Sequence, residues 1–160
     1  MLMTRIFEGR LHVHYGQAYV ESSASIRVGL EDTFLGQTNG LCGAAAPGML
    51  FLLTGLHTGS VGFTLDVLDA PPPLDQSREE IVEVSFIPSS GTATVSEWEG
   101  THLCEIPLCQ SNYRVRYCAR NMERGKEVDS YVEGESPSKW ELRFASLGAC
   151  HPFRENNPLR

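Results

Sequence analysis

Apolar and polar residues alternate in short runs along most of this chain, and no run of ten or more residues carries a 3.6-residue period. The central signal is the stretch from Gly48 to Asp69. An almost unbroken apolar run, Met49 to Leu53, is followed by a Gly-bearing connection, Gly55 to Gly59. Alternation then sets Phe63, Leu65 and Val67 against Thr64, Asp66 and Leu68. Two such runs joined by a short turn predict a β-hairpin, with the first strand buried on both faces and the second on one.

Shorter runs flank this centre. Leu11, Val13 and Tyr15 face one way, and Arg10, His12 and His14 the other; Gly16-Gln17 interrupts and Ala18–Val20 resumes. This predicts one long bent strand or a pair of strands. From Ser22 to Pro47 the pattern weakens to a possible short strand at Ile26–Leu30, a turn at Asn39-Gly40, and coil lying over one end of the sheet. Pro71-Pro72-Pro73 predicts a stiff extended connection. Ile81–Ile87 points Val82, Val84 and Phe86 inward, and after Pro88–Gly91 the run Thr92–Trp98 is predicted to return antiparallel to it. Leu103–Leu108 reads as a short strand. Tyr113–Arg120 has the cleanest alternation, with Tyr113, Val115, Tyr117 and Ala119 opposite Arg114, Arg116, Cys118 and Arg120. Asn121–Ser138 reads as a long surface loop, and Lys139–Ala145 as a last strand with Trp140, Leu142 and Phe144 inward. Residues 146–160 read as a frayed tail. Eight or so strands in one domain, residues 1–160, predict an all-β antiparallel sandwich; a closed or partly open barrel is the alternative.

A net charge of -7 argues against a nucleic-acid binder and is compatible with a basic protein partner. The N-terminus lacks the basic and apolar regions of a signal peptide, and no apolar stretch approaches the ~20 residues of a membrane span. The expectation is a cytoplasmic protein without membrane contact. Five cysteines, Cys42, Cys104, Cys109, Cys118 and Cys150, are odd in number and widely spaced, which predicts free thiols rather than a disulfide framework.

Candidate chemistry is sparse. His12 and His14 share a strand face and are able to hold a metal if a third ligand such as His57 or His102 joins them, but no cupin-like Glu follows. Cys104, Cys109, Cys118 and Cys150-His151 offer soft ligands at a spacing too loose for a structural zinc knuckle. A Cys42–His57 pair is conceivable as a nucleophile and base, without a motif to support it. No cofactor is expected. The acidic residues say more. Between Asp75 and Glu105 stand seven acids and one base, Arg78. If Ile81–Ile87 pairs with Thr92–Trp98, then Glu79, Glu80, Glu83, Glu97 and Glu99 gather on one hairpin. Arg114, Arg116, Arg120, Arg124 and Lys126 form an opposing strip. The acids either neutralise that strip across adjacent strands or form a docking face for a basic protein such as a nuclease or toxin. On the docking reading, reversing Glu83 and Glu97 to Lys slows association and leaves the fold intact. The rival readings are a small-ligand or carbohydrate-binding sandwich that stacks on Trp98 or Tyr19, and a metal-dependent enzyme using His12 and His14.

Three pieces carry a family likeness: Tyr15-Gly16-Gln17 after the first strand, Val82-Glu83-Val84-Ser85-Phe86, and Ile106-Pro107 leading into Tyr113-Arg114-Val115-Arg116. In these the chain resembles the competence protein J family of small bacterial β-sandwich proteins, which inhibit a DNA-entry nuclease. Asn39-Gly40-Leu41 and the Val82–Phe86 strand also look like those of uncharacterised bacterial proteins. The cysteines and the Asn121–Ser138 loop depart from the competence pattern. The resemblance implies a sandwich fold, a nuclease as partner and no catalytic residues.

Overall fold

The computed structural model describes residues 1–22, 28–131 and 139–147. In chain order its strands are β1 (Met3–Val13), β2 (Gln17–Ser22), β3 (Cys42–Gly43), β4 (Met49–Leu53), β5 (Thr58–Leu68), β6 (Glu80–Phe86), β7 (Thr92–Glu97), β8 (His102–Pro107), β9 (Tyr113–Arg120), β10 (Ser130–Tyr131) and β11 (Lys139–Ser146). Two short helices, α1 (Leu30–Thr33) and α2 (Met122–Val128), complete the described elements. The front sheet runs β1-β5-β11-β9-β6, with β10 also on β5; the back sheet runs β3-β4-β2-β7-β8. Most neighbours are antiparallel, but β10 and β11 run parallel to β5. The two sheets enclose one core, and no barrel closes among the described residues.

Alternation explains the core. Leu11, Val13, Phe63, Leu65, Val67, Val115, Trp140, Leu142 and Phe144 meet Val20, Leu50, Leu52 and Val95 across it. Tyr117 and Trp140 stack at 4.8 Å between ring centroids. The unbroken run of β4 is buried on both faces, as expected. Leu50 and Leu52 join the central core, while Met49 and Phe51 join a second cluster with Tyr19, Ala46 and Phe34. The 28–47 segment therefore covers the outer face of the back sheet rather than an end of it, and contributes α1 and β3.

Two predicted hairpins are absent. β4 and β5 lie in opposite sheets, as do β6 and β7. In both cases the apolar faces look at each other across the core instead of lying side by side. A short turn-rich connection serves a sheet-crossing corner as well as a hairpin, and alternation does not distinguish the two. The surface loop predicted over 121–138 contains α2 and β10 in its described part. The last strand runs on to Ser146, the first residue of the predicted frayed tail 146–160, and that tail from residue 148 on lies outside the described residues.

The proline-rich connection behaves as expected. It straps diagonally across the outer face of the front sheet from the end of β5 to the start of β6. Arg116, only 8% exposed, donates from Nη1 to the carbonyls of Pro72 (2.8 Å) and Pro73 (3.1 Å). Arg120 donates to Ser77 Oγ at 2.9 Å, and Arg78 pairs with Asp75 at 3.2 Å and with Glu141. Beside the strap, the buried Asp66 lies between Arg5 (3.0 Å) and Arg143 (3.6 Å).

Candidate protein-binding end of the sandwich

At one end of the sandwich the chain crosses between sheets twice. The first crossing is the turn His14–Gln17. Tyr15 and Gly16 both have positive φ, 54° and 63°, and Gln17 N donates to His14 O at 3.2 Å. Two consecutive left-handed residues are what a tight two-residue turn of right-handed strands requires. Gly16 suits that backbone; Tyr15 does not, because its Cβ crowds the following carbonyl. Sequence alternation placed Tyr15 inward beside Leu11 and Val13. The turn swings it outward instead, and it is 53% exposed.

The second crossing, Thr54–His57, braces the first. Gly16 N donates to His57 O at 2.7 Å, and Thr54 N donates to Gly16 O at 2.9 Å. Helix α2 braces this second crossing from the side. His57 N and Thr58 N both donate to Asp129 O, at 2.8 and 3.0 Å. Gly55 sits so close to Met122 that an added Cβ would clash with the Met122 carbonyl.

These constraints bring four rings together. His14 lies 4.3 Å from Tyr15, 5.0 Å from Trp98 and 6.0 Å from His57, centroid to centroid. Tyr15 lies 5.1 Å from His57 and 5.3 Å from Trp98. The Thr58 hydroxyl stands between two imidazoles, 2.7 Å from His57 Nδ1 and 3.1 Å from His14 Nδ1, so the three groups form one hydrogen-bonded chain. His14 forms the floor. Tyr15, Trp98 (36% exposed) and His57 form an open aromatic surface. Trp98 comes from the turn between β7 and β8, closed by Gly100 N donating to Glu97 O at 2.9 Å.

The predicted acidic residues divide. Glu97 borders the rings, its Oε1 accepting from His12 N at 3.1 Å. Glu99 is exposed in the same turn. Glu80 is exposed at the start of β6, at this end but on the opposite edge, about 19 Å away by four strand spacings of ~4.8 Å. Glu79 accepts from Asn121 N (2.9 Å) and Met122 N (3.1 Å), the start of α2. Glu83 binds Arg116 at 2.8 Å and Arg114 at 3.2 Å. Partial burial pushes the Glu83 carboxyl up, but the two arginines outweigh it and hold it below the usual carboxylate range. The predicted acidic hairpin therefore does not form, because β6 and β7 pair with different strands, and Glu83 neutralises the basic strip of β9.

Other candidates scatter. His12 is exposed on β1 while His14 is engaged with rings, and no group of three potential metal ligands stands together among the described residues. Tyr19 is buried against Phe51 and donates to Gln17 Oε1 at 2.8 Å, so it is packing rather than a platform. Cys42 is fully buried, and burial pushes its thiol up to about 12, far from a nucleophile's range. Burial likewise raises Cys104 to about 11. Cys109 is disulfide-bonded, against the expectation of free thiols throughout; an odd count still leaves room for a bridge. No helix among the described residues is long and apolar enough to cross a membrane.

No family model and no curated protein matches the sequence. Solved structures do match in shape. ComJ from Bacillus subtilis, an inhibitor of the DNA degrading activity of NucA, superposes with a TM-score of 0.63 at 13% identity, over 92% of this chain and all of its own. A protein described as crocagin biosynthetic gene J superposes with a TM-score of 0.60 at 14% identity, over 92% of this chain and all of its own. The likeness is one of fold. The overall fold is thus shared at an identity too low to carry a function.

Proposed function

We propose that this protein is a non-enzymatic protein-binding module, an immunity-type inhibitor of a basic nuclease, that meets its partner through the ring end of the sandwich. The observation that carries the reading is an exposed Tyr15–Trp98 surface, carried by turns closed by backbone hydrogen bonds, with Glu97 and Glu99 flanking Trp98 in the chain. Protein interfaces concentrate their energy in aromatic anchors ringed by polar groups. The net charge of -7 favours a basic partner by steering the encounter. The fold shared with ComJ, described as a nuclease inhibitor, supports the same class of partner. Glu80, Glu97 and Glu99 are the partner-facing acids of this proposal, whereas Glu79 and Glu83 hold the fold. Reversing Glu83 would strand Arg116, so it is no test of association.

The test is DNA degradation by the basic nuclease fraction of the source cells, with purified protein titrated in. Stoichiometric inhibition that weakens with salt, and weakens further in a Glu80→Gln/Glu97→Gln/Glu99→Gln variant, is the expected result. Undiminished degradation at excess protein would end the proposal. A second reading rests on the exposed Trp98 face, which also suits a sugar ring. Saturable quenching of Trp98 by a glycan, with no effect on nuclease, would favour it.

A further inference from the structure

We infer that the Tyr15–Trp98 surface is an arginine receptor: the partner lays a guanidinium on these rings and pairs it with the Glu97 and Glu99 carboxylates. This deepens the reading of the ring end as the partner-binding surface and rests on it. Tyr15 and Trp98 touch each other, 5.3 Å between centroids, so nothing inserts between them; a ligand must lie across their outer faces. The faces of aromatic rings carry negative potential and attract cations, Trp most strongly. His14 and His57 pack in T-shaped contacts within 5.1 Å of one or both of the two rings and keep them from rotating away. The site is therefore preorganised, and a partner need not bear the cost of ordering it.

Carboxylates complete the recognition. Glu97 is anchored through Oε1 on His12 N, while its other oxygen takes no hydrogen bond among the described residues. Glu99 follows one residue beyond Trp98 in an exposed turn. A planar guanidinium satisfies both requirements together, stacking through its face and donating through its edge. A lysine ammonium is a compact, strongly hydrated charge that does neither as well. The receptor should thus separate two cations that simple charge attraction would treat alike.

Dye-labelled hexa-arginine and hexa-lysine peptides carry equal charge and need no nuclease. Their affinities, read by fluorescence anisotropy at moderate salt, are expected to differ about fivefold in favour of arginine, the equivalent of ~1 kcal/mol. Arginine binding should also change the emission of Trp98 and leave that of Trp140, which is 1% exposed, unaltered. Trp98→Ala should abolish the preference, and Trp98→Phe, which keeps a ring face and guards against a folding artefact, should retain most of it. Equal affinity for the two peptides, or a preference that survives Trp98→Ala, would overturn the arginine receptor. Arginine preference without nuclease inhibition would sink the proposed function and leave the receptor standing.

Discussion

Tyr15 is held in a backbone conformation that suits glycine, with its ring turned out to solvent. Strain of this kind persists where surrounding structure over-determines it, and it is often kept for a function. Two substitutions separate backbone from ring. Tyr15→Ala removes the ring and keeps the strain; Tyr15→Gly removes both. In urea denaturation the glycine variant is expected to exceed the alanine variant by about 1 kcal/mol, and both should lose partner binding. Glu83 gives a second residue-scale prediction. Its carboxyl is depressed in the folded protein, so its stabilisation is present above the ordinary unfolded value of ~4.3 and is lost as pH falls through the lower folded value. Glu83→Gln should flatten the acid limb of the stability profile below about pH 4 and leave its shape near neutrality unchanged. The internal use of Glu83 is partly legible in sequence, since Arg114 and Arg116 alternate on a neighbouring strand face. The outward ring of Tyr15 is not, because alternation has no sign for a left-handed residue that ends a strand.

Among the elements, the strands themselves follow from period-two patterning, and Tyr113–Arg120 and the last strand fall where the pattern puts them. Their partners do not follow. Thr54–His57 and Pro88–Gly91 look like hairpin turns, yet each is a corner that carries the chain to the opposite sheet. Whether two apolar faces lie beside or opposite one another is decided by the whole core, not by the residues at the turn. The same holds for α2, whose seven residues carry no recognisable helical period. Its placement against Gly55 gives a sharp test. Gly55→Ala forces α2 away from the crossover and should destabilise the fold by about 1–3 kcal/mol, with faster amide exchange at His57 and Thr58. The proline strap gives another. Arg116→Ala leaves the Pro72 and Pro73 carbonyls and Glu83 without their buried donor, and is expected to cost about 3 kcal/mol in thermal or urea unfolding.

At the scale of the molecule, one end of the sandwich collects two sheet crossings, the β7–β8 turn and α2. Function in sandwiches commonly sits on loops gathered at one end of a rigid scaffold. Composition pointed to an acidic partner surface but placed it on a hairpin that does not exist. The fold redistributes those acids, spending Glu79 and Glu83 on structure and leaving Glu97 and Glu99 beside rings that no linear motif connects. Residues 14, 15, 57 and 98 are distant in sequence, so only the topology assembles them. The most direct measurement is DNA degradation by the basic nuclease fraction of the source cells, titrated with wild-type protein and with Trp98→Ala of equal thermal stability. Stoichiometric inhibition by the wild type and at least about tenfold weaker inhibition by the variant, a loss of ~1.4 kcal/mol, is the predicted result. Equal inhibition by the two proteins would contradict the placing of the partner on the ring end.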